Sequence, residues 1–380
     1  MIKEKIIQPL DIEDQCVGIY CNNNFIFKES DIEPLIQDCR LAWRHSPIFK
    51  DDQKYTYLSI FLRNQALSEY SEDPAALEQV VSLLESQKKA AVTAKIDFSE
   101  LCFYDFLPDH LIGNWFALRE AAMSRLTSFM EKPKDYDILH KIHVLTTDIS
   151  KRDINASGNK ERIMYDIFSS ATGRLATSKG SYPILSIGKE ERLQVTPQND
   201  LYLELDLNGA EIRTLLAFSD IEQPNEDIHS WNMKELAPWV TRSEAKSQFF
   251  AWLYNPKAEN KEYEKYYNKK AYLKHFNGEM VKTPYGRELP VDERKALNYL
   301  LQSTTSDIVL DSAYKIMKKL KGSKSFVAFT MHDSVVLDFS REDHPLVAEL
   351  KEIFETNMFG KFLSNIRIGK NFGDMKEMKV

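Results

Sequence analysis

The chain has 380 residues, 43% hydrophobic and 28% charged, with a formal net charge of −7. That length leaves room for two or three domains around a sizeable core. The acidic balance argues against a protein that coats nucleic acid over its whole surface, and no apolar run approaches the roughly 18 residues of a membrane span.

The opening stretch MIKEKIIQPLDIED is broken by charges and lacks the apolar region of a secretory signal. Cys16, Cys21, Cys39 and Cys102 show no paired metal-ligand spacing and read as reduced thiols. A cytoplasmic protein without a membrane partner is expected. Residues 1–110 carry few signals. CVGIYCNNNFIF predicts a hairpin turning at Asn22-Asn23-Asn24, and helical periods follow over Ile32–Trp43 and Ala75–Lys89. Asp11-Ile12-Glu13 has the Asp-x-Glu spacing of a proofreading nuclease, but too few residues follow for a whole nuclease domain. Two long helical patterns occupy 111–130 and 135–149 and are suited to an antiparallel pair. A polar, loop-like segment is expected over Lys151–Arg162.

From Leu201 the chain alternates strand and helix. LELD, ending at Asp206, reads as a short buried strand. The Asn208-Gly209 pair then makes a tight turn into a helix that begins at Ala210. A carboxylate at that point suits a divalent metal at a cleft, and it equally suits a plain capping role. A helix is predicted over Thr241–Tyr254 and stops at Asn255-Pro256. It is followed by a Lys/Tyr/Glu-rich helix to His275, a strand and turn in VKTPYGREL, and a long helix over Asp292–Leu320. SFVAFTMHDSVVLDF reads as two apolar strands hinged at His332-Asp333-Ser334, before a helix over His344–Phe359 and a short strand near Ile366.

Arg242, Lys246, Phe250 and Tyr254 recur every four residues and share one helix face. Two cations near a helix N-terminus suit a polyphosphate, and the aromatics suit a base or sugar. An ordinary amphipathic helix has the same spacing. Between Arg242 and Arg287 there are ten Lys/Arg against five Asp/Glu, with aromatics interleaved, which fits a nucleic-acid footprint or a solvated face. Asp206 and Asp333, each at the end of an apolar strand, together supply what two-metal nucleotidyl transfer needs.

In this order the stretches resemble the polymerase domain of family A DNA polymerases, the bacterial polymerase I and phage replicative group. LELDLNGAEIR is similar to motif A, Arg242–Tyr254 to motif B and Met331-His332-Asp333 to motif C, and the resemblance covers about residues 110–375. It implies an α+β right-hand fold: a helical thumb and the start of the palm (111–200), an antiparallel palm sheet (201–240 and 291–380) and helical fingers (241–290), after a small N-terminal domain (1–110). It implies two Mg²⁺ ions, with Mn²⁺ as a substitute, held by Asp206, Asp333 and the carbonyl of Leu207. It places Arg242, Lys246 and His229 on the triphosphate, with Lys246 as proton donor to pyrophosphate. Phe250 falls on the incoming sugar and base, Glu211 at the sugar gate, and Tyr254 at the template position. Arg174, Asn298, Gln302 and His332 fall on the minor groove of the DNA. The implied partners are primer-template DNA and dNTPs, with a separate exonuclease or processivity factor, in a bacterial host cytoplasm if phage-encoded.

The chain departs from the family where Ser334 replaces the glutamate after the motif C aspartate and Leu207 replaces the tyrosine after the motif A aspartate. Ala251 and Asn255 stand where the family has small glycines, and the connection from Tyr254 to Gly286 is short. Two other readings stay open: a single-subunit RNA polymerase, which lacks a carboxylate at the place of Glu211, and a non-catalytic DNA-binding protein on a polymerase scaffold.

Overall fold

The computed structural model describes residues 8–12, 15–32, 135–255 and 257–378, with scattered positions between 75 and 121. The chain divides into two compact units, Met1–Pro133 and Lys134–Val380. In the first, β1 (Gln8–Ile12), β2 (Gln15–Cys21) and β3 (Asn24–Ile26) form an antiparallel meander. Asn22 and Asn23 make the predicted β2–β3 turn at φ 52 and 62. Asparagine tolerates this left-handed region, and two such residues match the twist of a hairpin. Tyr20 packs its ring 4.8 Å from Phe25 and 5.2 Å from Phe116. The described residues within Ala75–Lys89 and 111–130 are helical. Of the Ile32–Trp43 stretch only Ile32 is described, and Glu13 of the Asp-x-Glu pair lies outside the described residues.

The second unit opens with α1 (Tyr136–Ser150). The segment expected as a loop is instead a hairpin, β4 (Asp153–Ala156) against β5 (Asn159–Arg162). Ser157 and Gly158 take φ 50 and 80, the geometry of a two-residue hairpin turn, and Arg162 bonds Asp153 across the ladder at 3.0 Å. Ile154 and Ala156 are its buried face, so the polar residues that suggested a loop are the outward half of an alternating pattern. β6 (Tyr165–Asp166) pairs β7 (Ala176–Thr177), and β8 (Val195–Thr196) joins β4.

Next come β9 (Leu201–Leu207), α2 (Ala210–Phe218), α3 (Ile228–Leu236) and α4 (Arg242–Tyr254). Thr241 and Glu244 cap α4 reciprocally, in a capping box. The Lys/Tyr/Glu-rich stretch is not one helix but two 3₁₀ turns, Tyr263–Lys265 and Lys269–Lys274. The Asn260 side chain accepts the amides of Glu262 and Tyr263, and Asn268 accepts that of Lys270. These local bonds compete with a continuous helix. β10 (Met280–Lys282) and β11 (Glu288–Pro290) form a hairpin before the long α5 (Glu293–Lys319), capped by Asp292. β12 (Phe326–Thr330) and β13 (Ser334–Phe339) follow. The last helix is shorter than expected: Arg341–Leu346, containing Pro345, is a 3₁₀ turn, and α6 spans Val347–Glu355. The chain ends with the ladder of β14 (Thr356–Asn357) and β15 (Gly360–Lys361), then β16 (Ser364–Gly369) and β17 (Lys376–Met378). Among the described residues no helix is long and apolar enough to cross a membrane.

A mixed α+β architecture results. Its centre is a five-stranded antiparallel sheet in the order β12-β13-β9-β16-β17. β9 is an inner strand, and Leu203, Leu205 and Leu207 are at most 2% exposed on one face while Tyr202, Glu204 and Asp206 alternate on the other. α2, α3 and α4 gather a second core around Phe249, Trp252, Tyr263 and Tyr267.

A buried ion pair joins α5 to the β10–β11 turn, and its arginine reaches on to the loop before β7. Arg287 donates to Asp307 at 2.7 Å and to the carbonyl of Gly173 at 2.9 Å, while Thr283 donates to the other Asp307 oxygen at 2.9 Å. A Cβ on Gly173 would lie 2.0 Å from the guanidinium, and φ there is +69, so only glycine fits. Arg287→Ala leaves Asp307 buried without its counter-charge, at a cost of about 3–5 kcal/mol. We expect thermal unfolding by circular dichroism to show a Tm lower by roughly 6–15 °C, with most of it restored by Arg287→Met combined with Asp307→Leu.

Candidate active site

Sheet register brings Asp206 and Asp333 together. β9 and β13 pair with Ser334 opposite Asp206, and the Leu207 amide donates to the Asp333 carbonyl at 3.1 Å. His332 and Asp333 sit exposed at the tip of the β12–β13 hairpin. Glu204, two residues before Asp206, shares its face and is 5% exposed. The Ser334 hydroxyl donates to Glu204 Oε1 at 3.0 Å. From β16, Arg367 reaches both acids: Nε lies 3.1 Å from Glu204 Oε2, and Nη2 donates to Asp206 Oδ2 at 2.9 Å.

This crowding shows in the electrostatics. Burial, and then the carboxylates of Asp333 and Glu204, push the Asp206 carboxyl up to about 7, with Arg367 opposing. Burial also raises Glu204, against Arg367 and Ser334. A cation would relieve this excess of negative charge. Among the described residues no group of three or more His, Cys, Asp or Glu side chains is arranged to hold a metal. A cation here would therefore rest on the two aspartates, a backbone carbonyl, water and substrate oxygens. That all-oxygen set fits Mg²⁺, which is commonly held by one or two carboxylates.

A cationic group stands at the start of α3 and α4. Arg242 and Lys246 are exposed on the first turns of α4. Arg242 makes two 2.7 Å bonds to Asp227, the N-cap of α3. His229, 6% exposed, has a buried Nδ1 with no hydrogen-bond partner, and its ring centre lies 6.1 Å from that of Phe250. Burial and then the Lys246 cation push His229 down to about 4, so its ring is neutral near pH 7. Gly209 allows α3 to approach the β9–α2 turn. Its φ is +61, and a Cβ there would meet Ile228 at 2.2 Å.

Glu211, in the first turn of α2, is the centre of a third group. Arg174 Nη2 donates to one of its oxygens at 2.7 Å and the Tyr254 hydroxyl donates to the other. Burial, followed by Glu211, raises the Tyr254 hydroxyl pKa, and Gln302 is a further hydrogen-bond partner. The Phe250 and Tyr254 rings stack at 5.9 Å. Arg174 and His332 line one small cleft with Thr330 and Met331. Asn298, on α5, has a buried side-chain oxygen without a partner.

The sequence-predicted residues thus fall into neighbouring sets: Asp206 with Leu207 and Asp333; His229 with Lys246 and Phe250; Arg174 with Glu211, Tyr254, Gln302 and His332. Sequence reasoning missed Glu204, Arg367, Asn208, Arg213 and Asp227. For Asp227 a signal existed, because Asp is a preferred N-cap residue and it directly precedes the IHSWNMKEL segment that forms α3.

No known protein-family model matches the chain. A stretch of it is 36% identical over 101 residues to a DNA polymerase of Bacillus phage SP01, and over that stretch the chain is a homologue of that polymerase. The match takes in 23% of this chain and spans only 11% of the phage polymerase. Among solved structures, the POL domain of Pol1 from M. smegmatis in complex with DNA primer-template and dNTP is similar at a TM-score of 0.49 and 15% identity. That likeness covers 90% of this chain and 72% of the other.

The raised Asp206 pKa has a sign that can be tested. The folded state holds a proton between the unfolded value of 3.8 and about 7, so stability falls as pH rises through that window. Asp206→Asn removes this penalty. In EDTA its Tm should exceed wild type by roughly 9–13 °C at pH 8, the gap closing toward pH 4. Millimolar Mg²⁺ should raise the wild-type Tm at pH 8 and not that of the variant.

Proposed function

We propose that this protein is a template-directed DNA polymerase of family A, adding a deoxynucleoside monophosphate to a primer 3′-hydroxyl and releasing pyrophosphate. The observation that carries the reading is the convergence of Asp206 and Asp333 at the edge of the central sheet, where their charges crowd together. The stretch of homology to a phage DNA polymerase supports it. In this reading the sheet is the palm of a right hand, α4 and the segment after it are the fingers, and the helices before residue 200 are the thumb.

Asp206, Asp333 and the Leu207 carbonyl would hold two Mg²⁺ ions, or Mn²⁺ in their place. When bound, the metal lowers the pKa of the attacking hydroxyl and neutralises the leaving pyrophosphate. Arg242, Lys246 and the neutral His229 bind the triphosphate, and Lys246 holds the proton that departing pyrophosphate takes up. Phe250 covers the incoming sugar and base, and Tyr254 stacks at the template position until the fingers close. Arg174, Asn298, Gln302 and His332 touch the minor-groove edge of the primer terminus. Its acceptors are nearly alike for all correct pairs, so these groups sense shape without reading sequence. Primer-template DNA and dNTPs are the partners, with a separate exonuclease or processivity factor beside them.

Primer extension with Mg²⁺ and four dNTPs tests the reading. Asp206→Ala and Asp333→Ala should each lower turnover well beyond tenfold, a loss above about 1.4 kcal/mol, while primer-template affinity stays within about twofold because phosphate contacts dominate it. Retained turnover in either variant refutes the assignment.

Glu211 separates a DNA from an RNA polymerase. With its two oxygens engaged by Arg174 and Tyr254, it would leave a 2′-hydroxyl no partner at the sugar, at a cost of a few kcal/mol. We expect Glu211→Ala to raise ribonucleotide over deoxyribonucleotide incorporation by at least about tenfold. An unchanged ratio in an active variant would reduce Glu211 to an early-helix acid placed by the dipole.

A further inference from the structure

The triphosphate ligands named above do not account for Asp227, yet its carboxylate is among the most heavily bonded groups of the described residues. Oδ1 accepts from Asn208 Nδ2 at 2.8 Å and Arg242 Nη2 at 2.7 Å. Oδ2 accepts from the Ser230 amide and hydroxyl, both at 2.8 Å, and from Arg242 Nε at 2.7 Å. Behind it lies Arg213, 0% exposed, which donates to the Asn208 carbonyl at 2.8 Å and side-chain oxygen at 3.3 Å. Arg213 also donates to the carbonyls of Pro224 and Glu226 at 2.9 and 2.7 Å. Asn208 in turn accepts the Ile228 amide at 2.8 Å. A continuous chain of hydrogen bonds therefore runs from a buried arginine, through the turn two residues beyond Asp206, to an exposed arginine at the start of α4.

We propose that Asp227 is a positioning residue that fixes the Arg242 guanidinium for phosphate capture. The inference rests on reading Arg242 as a triphosphate ligand. Three features argue for positioning rather than competition. The pair uses Nε and Nη2, so Nη1 takes no part in it and is left for a phosphate oxygen. Asp227 itself cannot turn away, because Asn208 and Ser230 hold both its oxygens independently of Arg242. Finally, the Arg242 side chain is 51% exposed, and an exposed arginine otherwise loses rotamer freedom when it binds; a fixed carboxylate removes part of that cost beforehand. The same Asn208 ties the phosphate-binding group to the strand that carries Asp206.

The test is calorimetric titration of the full chain with inorganic tripolyphosphate in EDTA, without DNA. It compares wild type, Asp227→Asn, Arg242→Ala and the double variant. Asparagine keeps the capping oxygen of α3, and thermal unfolding checks each fold. Asp227→Asn and Arg242→Ala should each weaken binding about five- to tenfold, the loss of a charge-assisted contact. The double variant should be no weaker than Arg242→Ala alone. If Asp227→Asn does not fold, Arg242→Lys serves instead. Lysine cannot make the two-point pair, so it should bind within about twofold of Arg242→Ala. Additive losses, tighter binding by Asp227→Asn, a lysine that binds like arginine, or no binding by wild type each overturn the proposal. Primer extension by wild type is scored separately. Extension without this coupling removes the positioning role and leaves the polymerase reading, and coupling without extension does the reverse.

Discussion

Carboxylates that share one face of a sheet repel one another, and the C-terminal unit is arranged so that Glu204, Asp206 and Asp333 nevertheless stand together. The backbone imposes the proximity. β13 and β16 flank β9, with Ser334 and Asn365 opposite Asp206, so the charges cannot separate without breaking ladder hydrogen bonds on both sides. The opposite face supplies the force that holds the strand in place, since Leu203, Leu205 and Leu207 are sealed from water and each buried side chain contributes about 1.5–3 kcal/mol. Moving the Asp206 carboxyl from 3.8 to about 7 costs a few kcal/mol at neutral pH. The sheet core is large enough to carry that. Arg367 lowers the cost by bridging Glu204 and Asp206 from the third strand.

The helices around the sheet depend on the same edge through polar pins. α4 is held at its N-terminal end by the Arg242–Asp227 pair and at its C-terminal end by Tyr254 on Glu211. Lys269 adds a third point, donating to the carbonyls of Trp252, Asn255 and Ala258 at 3.3, 3.1 and 2.6 Å. That satisfies acceptors a helix end leaves open. The buried side of α4, with Ala245, Phe249, Trp252 and Leu253, is apolar.

Much of this was legible in the residues because local and long-range preferences agree. The strand ending near Asp206, the Asn-Gly turn, the Thr241 cap and the long helix after Asp292 each carry their own chemical signal, and they form as expected. The hairpin at Lys151–Arg162 was not legible, because its outward residues are all polar and its buried half is only Ile154 and Ala156. The Tyr263–Lys274 stretch has helical composition, but the Asn260 side chain binds amides at its start and the Asn268 side chain interrupts it. At the site, Glu204 reads as the solvent face of an alternating strand, and nothing near it in sequence names its partner. Arg367 is more than a hundred positions away, brought in by the β9–β16 pairing, a tertiary contact that no local pattern encodes.

The same geometry bears on Ser334, which stands where the resemblance leads one to expect a glutamate. Ser334 lies directly opposite Asp206, at a cross-strand separation of about 5 Å. Its hydroxyl donates to Glu204. A glutamate at 334 would put another carboxylate directly opposite Asp206, which already binds its proton near pH 7, with like charges facing across a ladder. It would also remove the one hydroxyl donor to Glu204. Serine at 334 and glutamate at 204 are therefore a matched pair. The charge of this sheet edge is set by Glu204 and Ser334 together.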